Sequence, residues 1–120
     1  MIDESTVLKY PCTPGDREGV EIESQLLQIL GNHPRIIASK GLIASGLLLA
    51  YAPNGNLYDY ILSHPEISIN QKLRWCEQAA EALEYIHEKR VIHCDINLRN
   101  LLLDEGMNIL LSDFLLDIIL

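Results

Sequence analysis

The run Val91-Ile92-His93-Cys94-Asp95-Ile96-Asn97-Leu98-Arg99-Asn100-Leu101-Leu102-Leu103 decides how this chain is read. A short apolar segment leads into a polar turn holding Asp95 and Asn100, and a second apolar segment follows. Thirteen residues after Asn100 stands Asp113, again among apolar neighbours, Leu110, Leu111 and Phe114. Two strand-like segments flanking a polar turn present Asp95 and Asn100 at one rim, and a third segment adds Asp113 beside them. Asparagine and aspartate oxygens are hard ligands suited to Mg²⁺, which keeps few protein ligands and fills its shell with water and phosphate oxygens. Asp95 is then free to accept a proton from a hydroxyl nucleophile.

The order His-x-Asp-(x)4-Asn and then Asp-Phe, with a helical pattern before it, resembles the catalytic core of the eukaryotic protein kinases, with their His-Arg-Asp loop and Asp-Phe-Gly magnesium motif. The resemblance implies an α+β chain with a partial protein-kinase-like fold. Residues 1–52 would be an incomplete small β lobe with one helix, plus the hinge. Residues 53–120 would be the start of the helical lobe with its catalytic loop. It also implies ATP and Mg²⁺ as cofactors and transfer of a phosphoryl group to a protein hydroxyl. Serine/threonine and tyrosine remain open as the acceptor.

Upstream of the loop, residues 5–10 read as a short strand stopped by Pro11, followed by a loop over 12–19 with Pro14 and Gly15. Val7-Leu8-Lys9 resembles the kinase strand whose Lys contacts the α- and β-phosphates, which implies that role for Lys9. Residues 20–30 read as a helix, with Val20, Leu27 and Leu30 at helical spacing and Ile22, Leu26 and Ile29 widening the apolar face. Gly31 and Pro34 stop it. The resemblance pairs a Glu of this helix with Lys9. Glu23 is the preferred partner because Leu27 then falls where the family buries a hydrophobic residue next to Phe114, and Glu21 competes with it.

Ile36-Ile37 and Leu42-Ile43 read as short strands separated by Ser39-Lys40-Gly41, and residues 46–52 as a stronger strand ending in the turn Pro53-Asn54-Gly55-Asn56. The stretch resembles the strand and hinge that carry adenine. It implies backbone hydrogen bonds from Ala50 and Ala52, Leu49 at the back of the pocket and Leu102 beneath the base. Asn56 caps a short helix over 57–63. Ser68-Ile69-Asn70-Gln71 reads as a capping box opening a helix to about Lys89, with Leu73, Cys76, Ala80, Leu83 and His87 on one stripe. His87 and His93 read as packing and hydrogen-bonding residues.

Composition narrows the function classes. The 120 residues suffice for one domain, and 48% hydrophobic content argues against disorder. A formal net charge of -8 weighs against nucleic acid as a partner, because phosphate repulsion would go unopposed. Cys12, Cys76 and Cys94 have no zinc-ligand spacing and read as reduced thiols of a cytoplasmic or nuclear protein. The acidic start is not a signal peptide, and the apolar end from Phe114 is too short to cross a membrane, so no membrane partner is expected.

The resemblance assigns further roles. Asn100 and Asp113 hold magnesium, Asp95 acts as base, and Arg99 supplies positive charge near the γ-phosphate, because Asn97 stands at the family's usual Lys position. Asp95 and Arg99 are thus the catalytic candidates. Cys94 replaces the loop Arg that receives an activation-loop phosphate, Leu115 replaces the Gly of Asp-Phe-Gly, and Val7 a usual Ala. The resemblance starts at the family's third strand and ends at the magnesium motif, so the expectation is a chain lacking the Gly-x-Gly-x-x-Gly before Lys9 and the activation segment and later helical lobe after Leu120. The expectation is an apolar surface exposed behind Leu101–Leu103 and residues 110–111, open to a protein partner, and phosphotransfer weak or lost in this chain alone. Three alternatives stand beside the kinase reading. One is a non-catalytic kinase-like module that binds nucleotide or protein. Another is a small-molecule phosphotransferase of the aminoglycoside or choline type, and a third is a KEOPS-associated atypical kinase. The hinge-like Tyr51-Ala52-Pro53-Asn54-Gly55-Asn56-Leu57 and the Asp-Phe pair favour the protein-kinase branch.

Overall fold

Three strands, β1 (Thr6–Lys9), β2 (Ser39–Ile43) and β3 (Gly46–Ala50), form an antiparallel sheet in the order β1-β3-β2. The computed structural model describes residues 4–10, 17–114 and the backbone of 118–119. The expected stop at Pro11, most of the expected 12–19 loop and the Leu115 substitution lie outside the described residues. The central strand β3 is almost wholly apolar. Its alternation buries Leu47 and Leu49.

Two strand expectations are corrected. Ser39-Lys40-Gly41, expected to separate two strands, is instead the first part of β2, and its register against β3 shifts between Ser39 and Gly41. A glycine within a strand marks a bulge as readily as a turn. The actual reversal is at Ala44-Ser45. Ile36 and Ile37 do not join this sheet. Ile36 bridges Leu111 in parallel, the Ile37 N–H donates to the Leu111 carbonyl at 3.0 Å, and the Leu111 N–H to the Arg35 carbonyl at 2.8 Å.

Helix α1 (Glu18–Leu30) begins two residues before the expected start. Glu18 and Glu21 in its first turn favour the positive end of the helix dipole, and the Gly31 N–H closes it on the Leu27 carbonyl at 2.9 Å. Its buried face is Val20, Glu23, Ser24, Leu26, Leu27 and Leu30. Ile22 and Ile29 were expected to widen that face and are exposed, because Glu23 and Ser24 take the inward positions.

The second half opens on α2 (Leu57–Ser63), where the Asn56 side chain accepts from the Asp59 N–H at 2.9 Å. Helix α3 (Ile69–Glu88) follows, with the Ser68 hydroxyl accepting from the Gln71 N–H at 3.1 Å. Its expected stripe is corrected. Leu73 is 56% exposed, Cys76, Ala80 and His87 are exposed, and only Leu83 packs against the core. The inward face is Trp75, Gln78, Ala82 and Ile86. Polar groups at two of these positions are satisfied by the neighbouring hairpin. Trp75 Nε1 donates to the Met107 carbonyl at 2.8 Å, and Gln78 accepts the Ile109 N–H at 2.9 Å and donates to Asn108 Oδ1 at 2.8 Å. A polar residue whose partners are all supplied is cheap to bury.

After α3 come β4 (Val91–Ile92), a single 3-10 turn (Leu98–Asn100), and the hairpin β5 (Leu101–Leu103) and β6 (Ile109–Leu111). The last strand, β7 (Ile118–Ile119), pairs antiparallel with β4. The turn after β3 docks on β5 through the Leu103 N–H to the Gly55 carbonyl at 2.8 Å. Because 35–37 also bond β6, the two halves share one core that includes Leu27, Leu30, Ile36, Leu47, Trp75, Ile86, Leu103, Leu111 and Phe114. The apolar surface expected behind this hairpin is therefore not open. Leu101, Leu103, Ile109 and Leu111 are buried, and Leu102 and Leu110 are half-buried. Among the described residues the exposed large apolar side chains lie elsewhere, including Leu62, Ile69, Leu73, Ile96 and Leu98. None of the described helices is long and apolar enough to cross a membrane.

Candidate functional site

Lys9, at the end of β1, reaches across to α1. Its Nζ lies 2.7 Å from Glu23 Oε1 and 3.1 Å from Asp113 Oδ1. Glu23 is fully buried, and its second carboxylate oxygen accepts the Phe114 N–H at 3.1 Å. One carboxylate thus binds the first strand to the segment after β6. The open choice between Glu21 and Glu23 resolves to Glu23. Glu21 is an exposed partner of Arg17 at 3.4 Å. Burial disfavours the charge on Lys9, but Glu23 and then Asp113 outweigh it, so its pKa is raised above its ordinary 10.5.

Asp113 takes a left-handed backbone conformation, φ 62°. Such a conformation is uncommon outside glycine, and aspartate is among the residues that tolerate it best. Its side chain is 39% exposed, and Lys9 engages only its Oδ1.

The β5–β6 register brings Asn100 to the same end as Asp113. Leu101 pairs with Leu111, so Asn100 faces Ser112, whose N–H and hydroxyl both donate to the Asn100 carbonyl, at 2.9 and 3.1 Å. The Asn100 side-chain amide donates to the Asp95 carbonyl at 2.8 Å and to Asp95 Oδ2 at 3.2 Å. With the nitrogen so directed, Asn100 Oδ1 has no protein donor among the described residues. Asn97 holds the other side of the base candidate, donating to Asp95 Oδ1 at 2.9 Å.

His93 is buried and ties the loop together. Its Nδ1 accepts the Asp95 N–H at 3.1 Å, which leaves Nε2 as the donor to the Ser112 carbonyl at 2.8 Å. Its ring meets Phe114 edge-on, with centroids 5.1 Å apart. His93 therefore packs and hydrogen-bonds as expected, whereas His87 is exposed.

Two clefts adjoin these residues. The first, about 340 Å³, is lined by Val7, Lys9, Ile37, Leu49, Ala50, Tyr51, Ala52, Leu102, Ser112 and Asp113. It unites Lys9, Asp113 and the four hinge and floor residues read from the sequence. The Ala50 N–H is engaged by the Ala38 carbonyl at 2.9 Å, while the Ala52 N–H meets no protein acceptor among the described residues. The second, about 380 Å³, holds Asp95, Asn97, Leu98, Arg99, Asn100 and Tyr58. Arg99 thus stands with Asp95 and does not line the first cleft. Ile37, Ser112 and Tyr58 escaped the sequence reading. No local pattern links Tyr58 to the loop, and Ser112 signals itself only as a polar residue between apolar Leu111 and Asp113.

The donor set suits a hard cation. Asn100 lines the second cleft and Asp113 the first, both with oxygen donors, and among the described residues no group of three or more His, Cys, Asp or Glu side chains is placed to hold a metal.

Comparison with known proteins bears on the family. Residues 7–120 match the family described as protein tyrosine and serine/threonine kinase. The chain is 36% identical over 102 residues to human NUAK family SNF1-like kinase 2, covering 82% of this chain and 15% of that protein. It is 37% identical over 99 residues to the sucrose non-fermenting protein kinase 1 of Fusarium virguliforme, covering 79% and 14%. It is 36% identical over 101 residues to mouse serine/threonine-protein kinase SIK1, covering 81% and 13%. The chain thus spans only about a seventh of the length of the curated relatives it matches. A small antiparallel sheet with its helix, joined to a helix, loop and hairpin carrying the His-x-Asp-(x)4-Asn order, is a partial kinase fold, and this chain belongs to the protein tyrosine and serine/threonine kinase family.

Proposed function

We propose that the chain is a kinase-domain segment, residues 1–52 carrying the small-lobe remnant and hinge and 53–120 the start of the larger lobe, whose activity is ATP-dependent phosphoryl transfer to a protein hydroxyl. The observation that carries this reading is Lys9 held between Glu23 and Asp113, residues 14 and 104 positions away in sequence. Such convergence positions a cation and a partly exposed carboxylate beside an apolar cleft. Phosphoryl transfer asks mainly for position and charge compensation.

In this reading the adenine enters between Val7 and Leu102 with Leu49 behind it. The Ala52 N–H donates to the base and the Ala50 carbonyl accepts from it. Lys9 steadies the phosphates. Asn100 and Asp113 would hold Mg²⁺, which would supply charge neutralisation for the phosphates. Asp95 orients the acceptor hydroxyl and takes its proton, with Arg99 as the cation beside it. One relative named a serine/threonine-protein kinase supports serine or threonine as the acceptor. The exposed Leu62, Ile69 and Leu73 are the apolar side chains available to a protein partner. A cytoplasmic or nuclear setting accords with Cys76, which forms no disulfide among the described residues.

Turnover by this chain alone is expected to be weak. The test is radiolabelled phosphotransfer to a mixed peptide library with ATP and Mg²⁺, comparing the wild type with Asp95→Asn. Trace transfer abolished in the variant supports the reading, and transfer unaffected by the substitution removes Asp95 from its role. A nucleotide-binding module without turnover is the second reading. It is favoured by Asn97, whose amide occupies Asp95 Oδ1 at 2.9 Å where the family keeps a Lys in reach of phosphate. Thermal stabilisation by ATP with no transfer at any enzyme concentration selects it.

A further inference from the structure

The cavity in front of Asp95 displays a cation that no carboxylate among the described residues neutralises. The Arg99 guanidinium lies over the ring of Tyr58, 4.2 Å from its centroid. The 3-10 turn that carries it is pinned by Asn97 Oδ1, which accepts the Arg99 N–H at 2.8 Å. Among the described residues no carboxylate pairs with this guanidinium. The one acid that shares the cavity, Asp95, is turned to the amides of Asn97 and Asn100.

An arginine stacked on an aromatic face keeps its N–H edge free, and that planar fork matches a carboxylate. The aromatic ring also limits the rotamers open to the side chain, which lowers the ordering cost of a new contact. The rest of the protein pulls the other way. A net charge of -8 attracts basic peptides and repels acidic ones. A local preference for acid at this cavity must therefore come from Arg99.

We propose that Arg99, steadied on Tyr58, is a specificity-determining residue that selects peptide substrates with an acidic side chain close to the acceptor hydroxyl. The proposal rests on the kinase reading above, because it needs a peptide lying across Asp95. The contact is an ion pair and a pair of N–H donations, with no covalent step.

The test measures binding, so it does not depend on turnover. Fluorescein-labelled peptides carry one serine in a glycine-alanine background, with a single Glu or a single Lys at each flanking position in turn. Their affinities for the whole chain are read by fluorescence anisotropy with Mg²⁺ and a non-hydrolysable ATP analogue. At one flanking position the Glu-to-Lys affinity ratio is expected to fall about three- to fivefold in Arg99→Ala, the scale of an exposed ion pair. It falls further in Arg99→Glu and partly in Tyr58→Leu. Lys72→Ala, an exposed site on α3, removes the same charge and leaves the ratio unchanged.

An equal fall in Lys72→Ala would reduce the effect to net charge and overturn the proposal. A ratio unmoved by Arg99→Glu, or no binding of any peptide, overturns it as well. Thermal stabilisation by the ATP analogue is read in the same samples. If that stabilisation stands and the charge preference is absent, only the role of Arg99 fails. If the analogue gives no stabilisation, the kinase reading itself fails.

Discussion

Glu23 and Phe114 are joined by a 3.1 Å hydrogen bond from the Phe114 N–H to a carboxylate that has no solvent exposure. The same carboxylate pairs with Lys9 at 2.7 Å. A buried charge is tolerated only when its partners are in place, and removing one side of such a pair costs about 3–5 kcal/mol.

Glu23→Ala is therefore expected to lower unfolding stability by about 3 kcal/mol, because a cavity is left and both Lys9 and the Phe114 N–H lose their acceptor. Glu23→Gln keeps the shape and one acceptor and should fall between the two. Urea unfolding followed by Trp75 fluorescence reads the difference. A loss for Glu23→Ala of less than about 1 kcal/mol would show that the ion pair does not organise the core.

The raised pKa of Lys9 sets an alkaline dependence. The folded state binds this proton more tightly than the unfolded chain, so the stabilisation is fully present below the ordinary value of 10.5. It is lost as pH rises through the higher folded value. The stability gap between wild type and Lys9→Met should be constant from neutral pH to about pH 10 and shrink above it. A gap that narrows below neutral pH instead would assign the linkage to another group.

Gly46 begins β3 directly against the end of β1. A Cβ placed there would lie 2.2 Å from the Lys9 carbonyl oxygen, and its φ of 150° is one that other residues rarely adopt. Gly46→Ala is expected to cost about 2 kcal/mol or more by displacing β1. It should also weaken ATP-dependent thermal stabilisation, since Lys9 moves with the strand. Normal nucleotide stabilisation in a destabilised Gly46→Ala would separate Lys9 from the nucleotide.

Asp113 offers the sharpest test of the cation site. Asparagine tolerates the left-handed backbone nearly as well as aspartate, so Asp113→Asn changes charge with little strain. The thermal stabilisation by ATP should require Mg²⁺ in the wild type and vanish with EDTA. In Asp113→Asn, Mg²⁺ should add little to whatever shift ATP gives alone. An undiminished magnesium effect in that variant would move the cation elsewhere.

The chain's local chemistry was legible in its residues. Asn56 and Ser68 cap their helices, Gly31 ends α1, and the spacing of Asp95 and Asn100 marks the loop, because each of these depends on groups a few residues apart. The strand status of Ser39-Lys40-Gly41 was not legible. It depends on the partner β3, and a glycine there serves a bulge or a turn equally well. The inward face of α3 was misread for the same kind of reason. Gln78 looks like a surface residue until the Ile109 N–H and Asn108 arrive to satisfy it.

The meeting of Lys9 with Asp113 lies at the far end of this scale. Residues 104 positions apart come within 3.1 Å only when β1, α1 and the β5–β6 hairpin pack on one core. Residue identity and spacing were enough to say which oxygens and which amine the chain has to offer, since these are covalent facts. Which of them share a cleft depended on long-range packing, whose energy resides in contacts between segments and in no segment alone.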